Sequence, residues 1–142
     1  MRELDSYSYN CGVIDCFCEM VRAGVKPLAL SHAFSTAVER DEYLPHAEAM
    51  AEQYGVHFLP EDELIVTDLF PVEACRGVYI LLFGTEESLA AYQVLKEKQA
   101  DLIAQGTYLG EARAGIAQEF GRLLGYAPAA IEAFIAANTQ QG

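Results

Sequence analysis

Positive charge is what this chain has least of. Nine Lys and Arg stand against 21 Asp and Glu, leaving a formal net charge of −12. Such a field repels phosphate backbones and anionic bilayers, so no nucleic-acid partner and no membrane partner is expected. Tryptophan is absent. Long hydrophobic runs are missing too. The longest, Val78-Tyr79-Ile80-Leu81-Leu82-Phe83, is far shorter than a membrane span. The opening Met1-Arg2-Glu3-Leu4-Asp5 is charged, with no short apolar core and cleavage site behind it, so a cytoplasmic location is expected. The four cysteines are then expected as reduced thiols, not as a disulfide framework.

Catalytic signatures are also lacking. Ser6, Ser8, Ser31, Ser35 and Ser88 stand in no G-x-S-x-G context, which removes the hydrolase elbow. Gly84-Thr85 is a single-glycine junction without the spacing of a dinucleotide or phosphate loop. His32, His46 and His57 form no HExxH pair, and Glu61-Asp62-Glu63 lacks the alternating ligands and glycine of a calcium loop.

What is present suits a folded domain. At 142 residues, 52% hydrophobic and 21% charged, with seven Phe and eight Tyr, the chain is about one domain long and can bury a sizeable core. The acids are concentrated. Between Glu39 and Glu73 ten of them face one base, Arg40, which places −9 of the −12 in a quarter of the chain.

Periodicity and punctuation predict a mostly helical α+β fold, one domain over 1–142, with a small sheet of two or three strands. N-terminal helices are expected within 11–54, strands within 56–83 and C-terminal helices within 86–138. Asn10 is placed to cap a helix over 11–23, with Val13, Ile14, Phe17, Met20 and Val21 on its apolar side. Ser31 looks like the next N-cap, leading into Ala33, Phe34, Ala37 and Val38. A helix entered through Pro45 closes at Gly55. Val56–Leu59 and Leu64–Thr67 read as strands, 60–63 as a turn and 71–76 as a loop. The apolar stretch 78–83 reads as the central strand. A long helix runs from Glu86 to about Ala104, with Leu89, Tyr92, Leu95, Gln99 and Leu102 on one side and Lys96 and Lys98 near solvent. Ile116–Leu124, Gly125 and Pro128 spell a helix hairpin with its stop and start in place, continued by Ile131, Phe134 and Ile135. The tail 139–142 is expected to fray.

Cys11, Cys16 and Cys18 fall within eight residues. Three thiols this close could bind a soft metal or form a redox pair, with Cys75 or His32 as a further ligand. At ~100° per residue, however, Cys16 points about 140° from Cys11 while Cys18 shares the face of Cys11. The spacing matches neither a zinc ribbon nor a thioredoxin pair, and the alternative is that Cys18 packs as a small hydrophobe. His32 and His46 are both expected in the first turn of a helix, where the dipole disfavours imidazolium. The hairpin offers a recognition helix almost no cations. Its Gly110, Gly115 and Gly121, with Ala129, Ala130, Ala133, Ala136 and Ala137, instead favour tight helix contact, within the fold or between subunits.

Asn10-Cys11 followed by Ala23-Gly24-Val25-Lys26-Pro27, and Phe120-Gly121-Arg122-Leu123-Leu124-Gly125-Tyr126-Ala127-Pro128 with Ile131–Ile135 behind it, give the chain a resemblance. It resembles a bacterial family of uncharacterised proteins whose last segment runs Leu-Gly-Tyr-Pro into a helix. Ala127 is inserted here before the proline. The resemblance covers about a fifth of the chain and implies no activity, but it directs attention to Cys11 and to the Gly125-Tyr126 turn as a contact site.

The expected function is therefore a small, acidic, cytoplasmic binding or interaction domain without catalysis, its cofactor unknown, paired with a second copy or a protein partner. The alternative is a thiol-based metal or redox protein using Cys11, Cys16, Cys18 and Cys75.

Overall fold

Asp5 opens the first helix. Its carboxylate accepts hydrogen bonds from the Tyr7 amide at 3.2 Å and from the Ser8 hydroxyl at 2.8 Å, satisfying groups that a helix start leaves unpaired. In the computed structural model, which describes residues 5–139, α1 therefore runs Ser6–Arg22 and begins a turn and more before the expected cap. Asn10 lies inside the helix instead of capping it. Its amide donates to the Tyr43 hydroxyl at 3.0 Å.

The segment after α1 departs most from expectation. Ser31 does not cap a helix. Residues Leu28–Leu30 form strand β1, and Ser31 continues the ladder. Its amide donates to the Leu81 carbonyl at 2.9 Å, and its hydroxyl accepts from the Leu81 amide at 2.8 Å. Phe34 adds an isolated bridge to Tyr79. A hydroxyl taken by the sheet cannot serve a helix, and the working N-cap is Thr36, which accepts from the Glu39 amide at 3.1 Å. Helix α2 is consequently short, Ala37–Asp41. His32 lies on the extended segment, not in a first helical turn. The expected block of N-terminal helices thus contains a strand.

Helix α3, Leu44–Tyr54, has Pro45 in its first turn and Gly55 after its end, as read from the sequence. Strand β2 covers His57–Glu61, so the expected turn at 60–63 is partly strand. Pro60 is tolerated because β2 is an edge. Residues 64–67 form no strand although they read as one. The Ile65 amide donates to the Tyr92 hydroxyl at 3.0 Å, and the Val66 carbonyl accepts from the Gln99 amide group at 2.6 Å. Side chains of the following helix have taken the groups a ladder needs. Val72–Cys75 is a short helix, α4, where the sequence reads as a loop.

Strand β3, Ile80–Gly84, is buried throughout and occupies the centre of a three-stranded antiparallel sheet ordered β1-β3-β2. Leu28 pairs with Gly84 on one side, and His57 pairs with Gly84 on the other. Alternation then divides two cores. Ala29, Leu81 and Phe83 face α1 and α3 with Ile14, Cys18 and Ala47. Leu28, Ile80 and Leu82 face the second half of the chain with Tyr92, Leu95, Phe120 and Ile131. Helix α5 spans Glu86–Ala104 with Thr85 as its cap. Lys96 is not on its wet side, because it is half-buried and reaches Glu61 at 2.9 Å. Helices α6, Gly110–Leu123, and α7, Pro128–Asn138, make the expected hairpin. Gly125 turns it with φ +82°, a region that L side chains avoid. Gly121 lets the pair close, since a Cβ there would meet Ile131 Cγ1 at 2.7 Å. The fraying expected of the tail falls, past Thr139, outside the described residues. No helix among the described residues is long and apolar enough to cross a membrane.

Candidate functional site

Starting α1 at Ser6 puts Tyr7 and Asn10 one turn apart, facing Tyr43 where α2 gives way to α3. The Tyr7 and Tyr43 rings stack, with centroids 5.0 Å apart and planes 18° from parallel. Phe34, held by two backbone hydrogen bonds to Tyr79, follows at 5.0 Å from Tyr43. His32 meets Phe34 edge-on at 5.1 Å. Four side chains from three separate segments thus form a continuous aromatic row. With Ser6, Tyr9, Asn10, Glu39 and Glu42 they line a cleft of about 640 Å³.

The row is buried in its middle and exposed at its two ends, Tyr7 and His32. Phe34 and Tyr43 are 5% and 6% exposed, while Tyr7 and Tyr9 are 45% and 59% exposed. Glu39, in α2, and Glu42, the residue that caps its end, stand three apart and both line the cleft. Neither carboxylate has an ion-pair or hydrogen-bond partner among the described residues. Arg40, the one nearby base in sequence, is committed elsewhere. It is buried, donates to Asp41, Asp62 and the Glu61 carbonyl, and lies over the Tyr79 ring. The acidic surplus of this segment therefore reaches the cleft unneutralised by any described residue.

A larger cavity of about 730 Å³ lies between residues 62–68, α5 and the start of α6. Its buried and half-buried charges are held in ion pairs, while Arg76 and Glu63, which also line it, are exposed. Arg113 grips Asp68 through two bonds of 2.7 and 2.8 Å. Lys96 donates to Glu61, whose carboxylate also accepts from the buried Tyr92 hydroxyl at 2.7 Å. Burial and the Glu61 carboxylate hold the Tyr92 phenol well above its ordinary range. Gln99 donates to both Val66 and Tyr108. No side-chain N or O buried among the described residues lacks a partner. These groups fasten a strandless loop to α5 and α6, and that task accounts for them.

The cysteines are dispersed. Cys11 and Cys18 lie on the inner face of α1, and Cys16 points to solvent, as helical geometry requires. Cys75 is buried in the other core, across the sheet. Burial pushes the Cys18 thiol up to about 12. It also raises Cys75, and it raises Cys11 against an opposing hydrogen bond from Tyr7. Buried thiols held this way are poor nucleophiles. The Cys16 thiol contacts the Met20 sulfur at 4.0 Å. Of the imidazoles, only His32 joins the cleft. His46 sits in the first turn of α3, as expected, with Nε2 2.7 Å from Asp15 Oδ1 and 3.2 Å from the Cys11 carbonyl, bridging α3 to α1. His57 is exposed on the edge strand. Among the described residues no three His, Cys, Asp or Glu side chains are grouped to hold a metal ion.

The Gly125-Tyr126 turn is engaged within the fold. Gly125 lies against Lys26, and Tyr126 packs on Phe70 and Phe134 under the Lys26 ammonium. Sequence reasoning passes over Tyr7, Tyr9, Phe34, Tyr43, Glu39 and Glu42 as site residues. The available signal is Asp5 followed by Ser8, an N-terminal pair that starts α1 early and brings the two exposed tyrosines onto a helix. No protein family, curated protein or solved structure was found to match this chain.

Proposed function

We propose that this protein is a non-catalytic, cytoplasmic binding domain and that its ligand site is the cleft between the start of α1 and the end of α2. One observation carries the reading. This concave surface is where exposed tyrosine rings lie beside two carboxylates with no partner among the described residues, whereas Asp68 and Arg113 of the larger cavity hold each other and its Lys96 is held by Glu61. Clefts that combine ring surface with a few polar groups are the usual form of a small-ligand site. Four free thiols and no disulfide fit the reducing compartment proposed.

A fragment library followed by amide chemical shifts of the labelled protein tests it. Shifts should converge on Tyr7, Tyr9, Asn10, Phe34 and Tyr43, and Tyr9→Ala should abolish them while leaving the remaining spectrum intact. Fragments that collected in the cavity beside Arg113, or nowhere, would overturn it.

A second reading concerns assembly. Ala129, Ala133, Ala136 and Ala137 of α7 are exposed beside Phe134, itself 37% exposed. Gly121 is already filled by Ile131 within the fold, so this outer alanine face is the part of the hairpin open to a second copy. Sedimentation should give a dimer that Ala133→Glu converts to monomer. A monomer at high micromolar concentration removes this reading.

A further inference from the structure

The chemistry of the proposed cleft narrows its ligand, an inference that rests on that cleft being the binding site. Glu39 and Glu42 lie within one turn of each other, and like charges so placed repel. A cation between them relieves that repulsion. Which cation is decided by the rest of the wall. A hard metal ion asks for about six oxygen ligands, but the cleft that these carboxylates line also carries the exposed rings of Tyr7 and Tyr9, backed by the buried Phe34 and Tyr43. Ring faces attract ammonium groups through their quadrupole and tolerate the methyl or methylene groups attached to them. The cleft is also larger than one ammonium needs, at about 640 Å³, and so has room for an organic body. It is open to solvent at Tyr9 and closed at Tyr43, whose hydroxyl is occupied by Asn10. The chain's net charge of −12 draws cations toward this surface.

We propose that the cleft binds a free, metabolite-sized organic ammonium compound, its cationic head between Glu39 and Glu42 and its alkyl substituents on the exposed rings of Tyr7 and Tyr9. His32, at the far end of the row, would be the residue nearest the ligand's polar tail.

Titrating the intact protein with choline chloride, and in parallel with its neutral carbon isostere neopentylcarbinol, isolates the charge. Tyrosine fluorescence reports both, since no tryptophan competes. Choline should bind saturably and about tenfold or more tighter than the isostere, with affinity falling as salt rises. Glu39→Gln with Glu42→Gln, both exposed, should erase the preference for choline, and Tyr9→Ala should weaken both probes. Equal binding of choline and isostere would overturn the ammonium assignment while leaving the cleft as a ligand site. Failure of choline where neutral fragments still occupy the cleft would do the same. Absence of every probe and fragment from the cleft would overturn both readings. A trimethyllysine peptide that bound about tenfold or more tighter than choline would overturn the free-amine source.

Discussion

The acidic segment from Glu39 to Glu73 is handled in two ways at its two ends. At the far end, Glu61 and Asp68 are turned inward and matched, the first with Lys96 and Tyr92, the second with Arg113. At the near end, Glu39 and Glu42 are exposed beside aromatic rings, with no partner among the described residues. One composition therefore serves two purposes. Matched carboxylates hold a loop in place, because a buried charge without its partner is costly. Unmatched carboxylates contribute little to folding and are free to meet something else. Counting acids along the chain cannot separate these roles, and tracing each one to its nearest cation does.

Breaking the matched end should have the largest effect. Asp68→Ala removes two charge-assisted bonds to Arg113 and should lower stability by about 3 kcal/mol in urea unfolding. A loss below about 0.5 kcal/mol, the scale of a surface substitution, would mean that the pair is not holding the loop. Next comes the packing beneath that loop. Gly121→Ala places a methyl where Ile131 Cγ1 and Leu69 Cδ1 already sit, at 2.7 and 3.2 Å. Its expected cost is about 1–3 kcal/mol, and Ile131→Ala should cost less in the Gly121→Ala background than alone.

A third test uses pH. Burial raises the folded Cys18 thiol from 9.0 to about 12. A raised pKa stabilises the fold fully below the unfolded value and loses that contribution as pH climbs through the folded one. Stability should therefore fall between pH 9 and about 12, and Cys18→Ala should flatten that part of the curve. An unchanged slope would show that other groups govern the alkaline limb. The smallest effect belongs to the unmatched end. Glu39→Gln with Glu42→Gln should change stability by no more than about 0.5 kcal/mol. A large loss would reveal structural partners for these carboxylates and dissolve the contrast between the two ends.

Much of the fold is legible where the decisive partner is close in sequence. Helix α5 follows from Leu89, Tyr92, Leu95 and Leu102 at helical spacing, and the α6–α7 hairpin follows from Gly125 and Pro128. The central place of β3 follows from its unbroken apolar run. Legibility ends where a distant side chain intervenes. Ser31 looks like a cap until Leu81, fifty residues on, claims its hydroxyl. Residues 64–67 look like a strand until Tyr92 and Gln99 take their backbone groups. Lys96 looks solvated until Glu61 is placed beside it. The cysteine cluster is legible as geometry, since Cys16 does diverge from Cys11 and Cys18. The cleft is not legible, because its row joins α1, the segment after β1 and the α2–α3 junction. No single window of sequence contains more than part of it.

The order of the sheet has a consequence for the nascent chain. Both flanking strands, β1 and β2, precede the central one, and each pairs only with it. Until Gly84 leaves the ribosome, neither has a neighbour in register. The early helices must wait as a loose assembly with their apolar sides open to passing chaperones. Completion comes later still, when Gly125 settles against Lys26 and closes a loop of about one hundred residues. A non-local closure cannot begin before its second partner has been made, so the last contacts wait for Gly125 to leave the ribosome. A ribosome stalled before α7 emerges would display the whole sheet and still lack a finished protein.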